Sequence, residues 1–126
     1  MKPTTFAMAV AVIIAPAVGF AHGQAPQAAH GGQVQEAHEN WVELVVSADQ
    51  VKVYVLDEAR KPVPASQVSG TATVLVDGKI FKVELVAAEG NSLRGKLPIP
   101  ASGQTAATVS LKIAGNPASA RFTIKR

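Results

Sequence analysis

The chain has 126 residues, with 12 Lys and Arg against 9 Asp and Glu, three histidines and no cysteine. That length suits one domain around one core and not two. So small a positive charge, with no basic stripe interleaved with aromatics, excludes a nucleic-acid partner, and without cysteine the fold has to be held by its core alone.

The first element is a leader. Met1 and Lys2 form a short positive start, and Phe6 to Phe20 (FAMAVAVIIAPAVGF) is free of charge. This run is short of the ~20 apolar residues that a membrane-spanning helix needs. It fits the apolar region of a secretory signal peptide, with Gly19-Phe20-Ala21 as the small-x-small cleavage signature and Ala15-Pro16-Ala17 as a second site of the same form. Cleavage after Ala21 is preferred, because the polar chain begins at once and Pro16 ends the apolar region a few residues earlier. Residues 1–21 are then the signal peptide, and the mature chain starts at His22 with 11 basic and 9 acidic residues, a net charge of +2. The expected location is the periplasm of a Gram-negative host, with no stable membrane insertion after cleavage. Met1 and Met8 leave with the leader, so the mature chain has no sulfur ligand for Cu(I).

Residues 22–29 (HGQAPQAA) hold no anchor for a core and read as a flexible tail. From residue 30 onward the periodicity is two. Val42, Leu44 and Val46 alternate with Glu43 and Val45, and valines occupy 51, 53 and 55. Phe81, Val83 and Leu85 alternate with Lys82 and Glu84. Val109, Leu111 and Ile113 form a third such run, and Ala120, Phe122 and Ile124 a fourth. Successive strand side chains point to opposite faces, so each run buries one face and wets the other. Strands are predicted near 31–36, 41–47, 50–56, 70–77, 79–87, 92–98, 105–114 and 118–125.

Turn residues separate these runs. Asp77-Gly78 is the strongest short hairpin signal, because a type I′ turn needs positive φ at both central residues. Gly115-Asn116-Pro117 is expected to close a second hairpin, and Glu89-Gly90-Asn91 a further turn. Lys61-Pro62-Val63-Pro64 forbids regular ladder bonding and marks the longest connection, from Asp57 to about Ser69. Seven or eight short antiparallel strands in one domain over 30–126 predict an all-β fold. An immunoglobulin-like β-sandwich is expected, with a small closed barrel as the alternative.

Every histidine, His22, His30 and His38, lies between Ala21 and Trp41. Polar segments outside a core tolerate histidine, so the clustering needs no function. A metal reading is also open. His38 is flanked by Glu36 and Glu39, and His30 or His22 could swing toward it, giving an imidazole and carboxylate set suited to Zn(II), Cu(II) or Ni(II). Cleavage after Ala21 would add the α-amino group of His22 as a chelating partner. The eight-residue spacing matches no compact ligand motif.

His30-Gly31-Gly32-Gln33-Val34, then Glu43-Leu44-Val45, Val53-Tyr54-Val55-Leu56-Asp57, Lys61-Pro62-Val63 and Leu93-Arg94-Gly95, form a longer pattern. It resembles the HGG-containing β-domain near the N-terminus of periplasmic adaptor (membrane-fusion) subunits of heavy-metal efflux pumps, and small stand-alone exported proteins with the same pattern. The resemblance spans about residues 29 to 98. It implies a periplasmic β-domain connected with metal resistance, with components of an efflux system as partners. The chain lacks the helical hairpin and lipoyl-like halves of an adaptor, and only His30 of the histidines lies in the shared pattern.

No nucleophile elbow, HExxH or phosphate-cradling glycine loop occurs. Asp57-Glu58 reads as a solvated strand end, and Trp41 as a packing anchor. The expectation is therefore an exported, non-enzymatic accessory of heavy-metal handling. Its competitor is an interaction module of the same compartment with incidental histidines.

Overall fold

The structure is a computed structural model that describes residues 24–124; the expected signal peptide (residues 1–21) and His22 lie outside the described residues. Eight strands follow in chain order: β1 (Gln33–Ala37), β2 (Asn40–Ser47), β3 (Gln50–Leu56), β4 (Val68–Val76), β5 (Lys79–Ala87), β6 (Ser92–Lys96), β7 (Thr105–Ile113) and β8 (Asn116–Ile124). All pairings are antiparallel, and the strands form one sheet in the order β1-β2-β3-β6-β5-β4-β7-β8. The only helical element described is a 3-10 turn at Ala65–Gln67. None of the described residues form a helix long and apolar enough to cross a membrane.

The all-β expectation holds, and the arrangement lies between its two versions. The halves β1-β2-β3-β6 and β5-β4-β7-β8 enclose a common core, as sandwich layers do. They are nevertheless one sheet, joined where Val86 and Ala87 of β5 pair with Arg94 and Leu93 of β6. β1 and β8 approach each other at the opposite seam, so the sheet is a nearly closed barrel. The joint depends on a glycine. A Cβ at Gly95 would lie 2.3 Å from Val83 Cγ1 and 2.7 Å from the Glu84 carbonyl oxygen.

Asp77 and Gly78 have φ of 52° and 77°, as a type I′ turn requires, and they set the register Val76 to Lys79. The last hairpin turns one residue earlier than its sequence suggests. Ala114 and Gly115 (φ 51° and 87°) make a two-residue turn, and Asn116 and Pro117 already belong to β8. A two-residue turn with both φ positive matches strand twist better than a longer loop. Pro117 is tolerated because β8 ends the strand order and keeps a free edge.

Each barrel end is closed by one long connection. Residues 57–67 cross the end that carries the β1–β2, β5–β6 and β7–β8 turns, with Ala65 N donating to Gly90 O (3.0 Å) and Ala114 N to Gln67 O (2.8 Å). Residues 97–104 cross the other end, where Leu97 N donates to Asp49 O (2.7 Å) and Ala101 N to Ala48 O (2.9 Å). Val42, Leu44, Val51, Val53, Val55, Val74 and Val109 point into the barrel, all fully buried.

The period-two faces predict a mutational asymmetry. Phe122 is buried in this core, and Phe122→Ala should cost about 3–5 kcal/mol in urea melts. Lys82 faces solvent, and Lys82→Ala should stay within about 0.5 kcal/mol. Similar losses from the two would show that the strand faces are assigned wrongly.

Candidate functional site

The outer face of β1-β2-β3 is unusual for a surface. Trp41 and Glu43 point away from the barrel interior, yet both are buried. Their cover comes from upstream, because the chain from Gln24 to Gly32 lies back over them. The Arg60 guanidinium donates to the Gln24 carbonyl and sits 5.7 Å from the Trp41 ring centre. Pro26, Gln27 and Ala29 line a small cavity of about 40 Å³ with Trp41, Tyr54 and Leu56. Residues 24–29, an anchorless tail by composition, lie against this face of the barrel.

Glu43 is the centre of this arrangement. Its Oε2 accepts from the backbone N–H of His30 and of Gly32, each at 2.9 Å, and its Oε1 lies 2.9 Å from His30 Nδ1. Burial alone would raise the Glu43 carboxyl above its ordinary value. The bond to the His30 ring, the two backbone N–H groups and the nearby imidazole charge outweigh that effect and hold it below. Glu43 is therefore ionised at neutral pH. An ionised carboxylate only accepts hydrogen bonds, so His30 Nδ1 carries the hydrogen and donates it.

The HGG segment has the composition this geometry needs. His30 supplies the side-chain donor. Gly31 has φ +79°, which turns the chain toward β2. Gly32 allows the closest approach, since a Cβ there would lie 2.2 Å from the Leu44 carbonyl oxygen and 2.8 Å from Val45 Cγ2. The His30 ring is also stacked on Tyr54, the cross-strand partner of Glu43, with centroids 3.6 Å apart and planes within 3°.

The histidines read as metal ligands are distributed as follows. His30 is held on the barrel wall by Glu43 and Tyr54. His38 is at the tip of the β1–β2 turn with φ 60°, lining a cleft of about 420 Å³ with Glu39 and Asp57 at one barrel end. Glu36 is exposed on β1, opposite Trp41. His22 lies outside the described residues. His30 and His38 line separate cavities. Among the described residues, no three His, Cys, Asp or Glu side chains come close enough to hold an ion.

Glu43 and Tyr54 are the site residues that reading for ligands missed. Both sit on the face that alternation assigns to solvent, and nothing within β2 or β3 signals their cover. The one available sign was that both belong to the same long pattern as the HGG segment. No protein-family model, curated protein or solved structure matches the chain.

The position of Glu43 sets a pH dependence. Its carboxyl is lowered on folding from the ordinary 4.5, so its stabilisation is complete above about that pH and is lost as pH falls through the lower folded value. Glu43→Gln should cost about 1–3 kcal/mol at neutral pH. The gap between wild type and variant should narrow in acid, where both carry a neutral side chain. A gap that stays constant across that range in denaturant melts would contradict the ionised anchor.

Proposed function

We propose that the chain is an exported, non-enzymatic accessory of heavy-metal handling in the periplasm, in which His30 presents an imidazole to a divalent metal ion. The observation that carries this reading is the His30–Glu43 pair. A carboxylate on one ring nitrogen is the common outer partner of a metal-bound histidine, because it fixes the tautomer and strengthens the other nitrogen as a donor. Here Nδ1 is committed to Glu43, Nε2 is the nitrogen left to coordinate, and the side chain is 42% exposed. Support also comes from the long pattern that resembles efflux adaptor β-domains, since His30, Gly31, Gly32, Glu43 and Tyr54 of that pattern meet at one point. Zn(II), Cu(II) and Ni(II) suit such nitrogen donors.

The alternative is an interaction module without a metal. It is favoured by Leu75 and Ile80, cross-strand neighbours that are 40% and 71% exposed.

Calorimetric titration of the purified protein with Zn(II), Cu(II) and Ni(II) separates the two. His30→Ala should weaken binding of the preferred ion by about tenfold or more, a change of about 1.4 kcal/mol, at a temperature where circular dichroism shows the variant folded. Binding should also weaken in acid, because coordination requires the neutral ring. A His30→Ala/His38→Ala variant that binds all three ions as wild type does would overturn the metal reading and leave the interaction module.

A further inference from the structure

Beside the His30–Tyr54 stack, two cations face each other without an evident structural reason. Lys52 on β3 and Arg94 on β6 are direct cross-strand partners on the outer face of the sheet. Like charges directly opposite on neighbouring strands destabilise a sheet. Lys96, one step along β6, has a partner in Asp49 at 3.7 Å. Lys52 and Arg94 make no ion pair or side-chain hydrogen bond among the described residues. The two line an open groove of about 500 Å³ together with Tyr54, His30 and Ser92. That volume is in the range of small-molecule sites.

We propose that this groove binds a small oxyanion, a carboxylate or phosphate group held between Lys52 and Arg94 beside the Tyr54–His30 stack. The Arg94 guanidinium offers a planar fork that fits either group through two parallel hydrogen bonds, and the Lys52 ammonium adds a point charge. Glu89, at the β5–β6 turn, is the one carboxylate among the lining residues. It leaves the groove with an excess of positive charge and works against an anion. Arg94 also borders a neighbouring groove with Glu84 and Lys96. The anion accounts for the paired cations as a binding device whose cost to the empty fold is recovered when the ligand is bound. The inference rests on Lys52 and Arg94 and is independent of the metal reading.

The test is an amide-resolved NMR titration of the purified protein with inorganic phosphate and, separately, with citrate, each against sodium chloride at matched ionic strength. Saturable shifts confined to Lys52, Tyr54, Ser92, Arg94 and their neighbours are expected with at least one anion, and the preferred one identifies the source. Lys52→Gln and Arg94→Gln should each weaken that binding by about tenfold, and Glu89→Gln should tighten it. Without ligand at low salt, Lys52→Gln should raise the melting temperature, and added salt should shrink the gain as it screens the repulsion. Shifts spread over all surface cations, equal binding by the Lys52→Gln/Arg94→Gln variant, or a lower melting temperature for Lys52→Gln would each overturn the proposal.

Discussion

A carboxylate buried on the outside of a barrel governs the path of the chain just before β1. Withdrawing an ion from water costs several kcal/mol unless charge and hydrogen bonds replace the lost hydration. Glu43 recovers that cost from three donors, all supplied by His30 and Gly32. This requirement brings the chain before β1 back across β2. It also leaves no room for a side chain at residue 32, lays the imidazole flat on Tyr54 and brings Pro26 to Ala29 over Trp41. The described residues thus bury apolar side chains in two places. One is the barrel interior, and the other is a thin outer layer under the N-terminal segment.

The barrel interior was legible in the sequence because its cause is local. Alternation along β3, β5, β7 and β8 puts the valines, leucines and Phe122 on one face whatever the strands later pair with. Asp77-Gly78 likewise fixes its own hairpin. Strand ends were harder, since partners decide them. β4 begins at Val68 because Ile113 is there to pair with it, and β6 stops at Lys96 because the next amide, Leu97, turns to Asp49 of the β2–β3 turn. Closure into a nearly complete barrel depends on the β5–β6 joint and the β1–β8 approach, and no strand pattern encodes either.

The outer layer was not legible for a related reason. In Val42-Glu43-Leu44 the alternation assigns Glu43 to solvent, and within the strand that assignment is sound. What buries it is a segment with no period at all, ten or more residues upstream. His30 stands out in the sequence through the other histidines, but its partner is a glutamate on β2. Clustering in sequence pointed to His38 and Glu39. The fold instead carries those two to the barrel end and leaves His30 on the wall. The same non-local geometry places Lys52 opposite Arg94, a pair that the strands' separate patterns show only as two solvated cations.

His30 and Glu43 act as one unit. A double-mutant cycle with His30→Ala, Glu43→Gln and the double variant, read by urea melts at neutral pH, tests it most directly. The losses should be far from additive, with a coupling of about 1.5–3 kcal/mol, the range for hydrogen bonds to charged groups. Losses that add to within about 0.5 kcal/mol, the behaviour of independent sites, would contradict it.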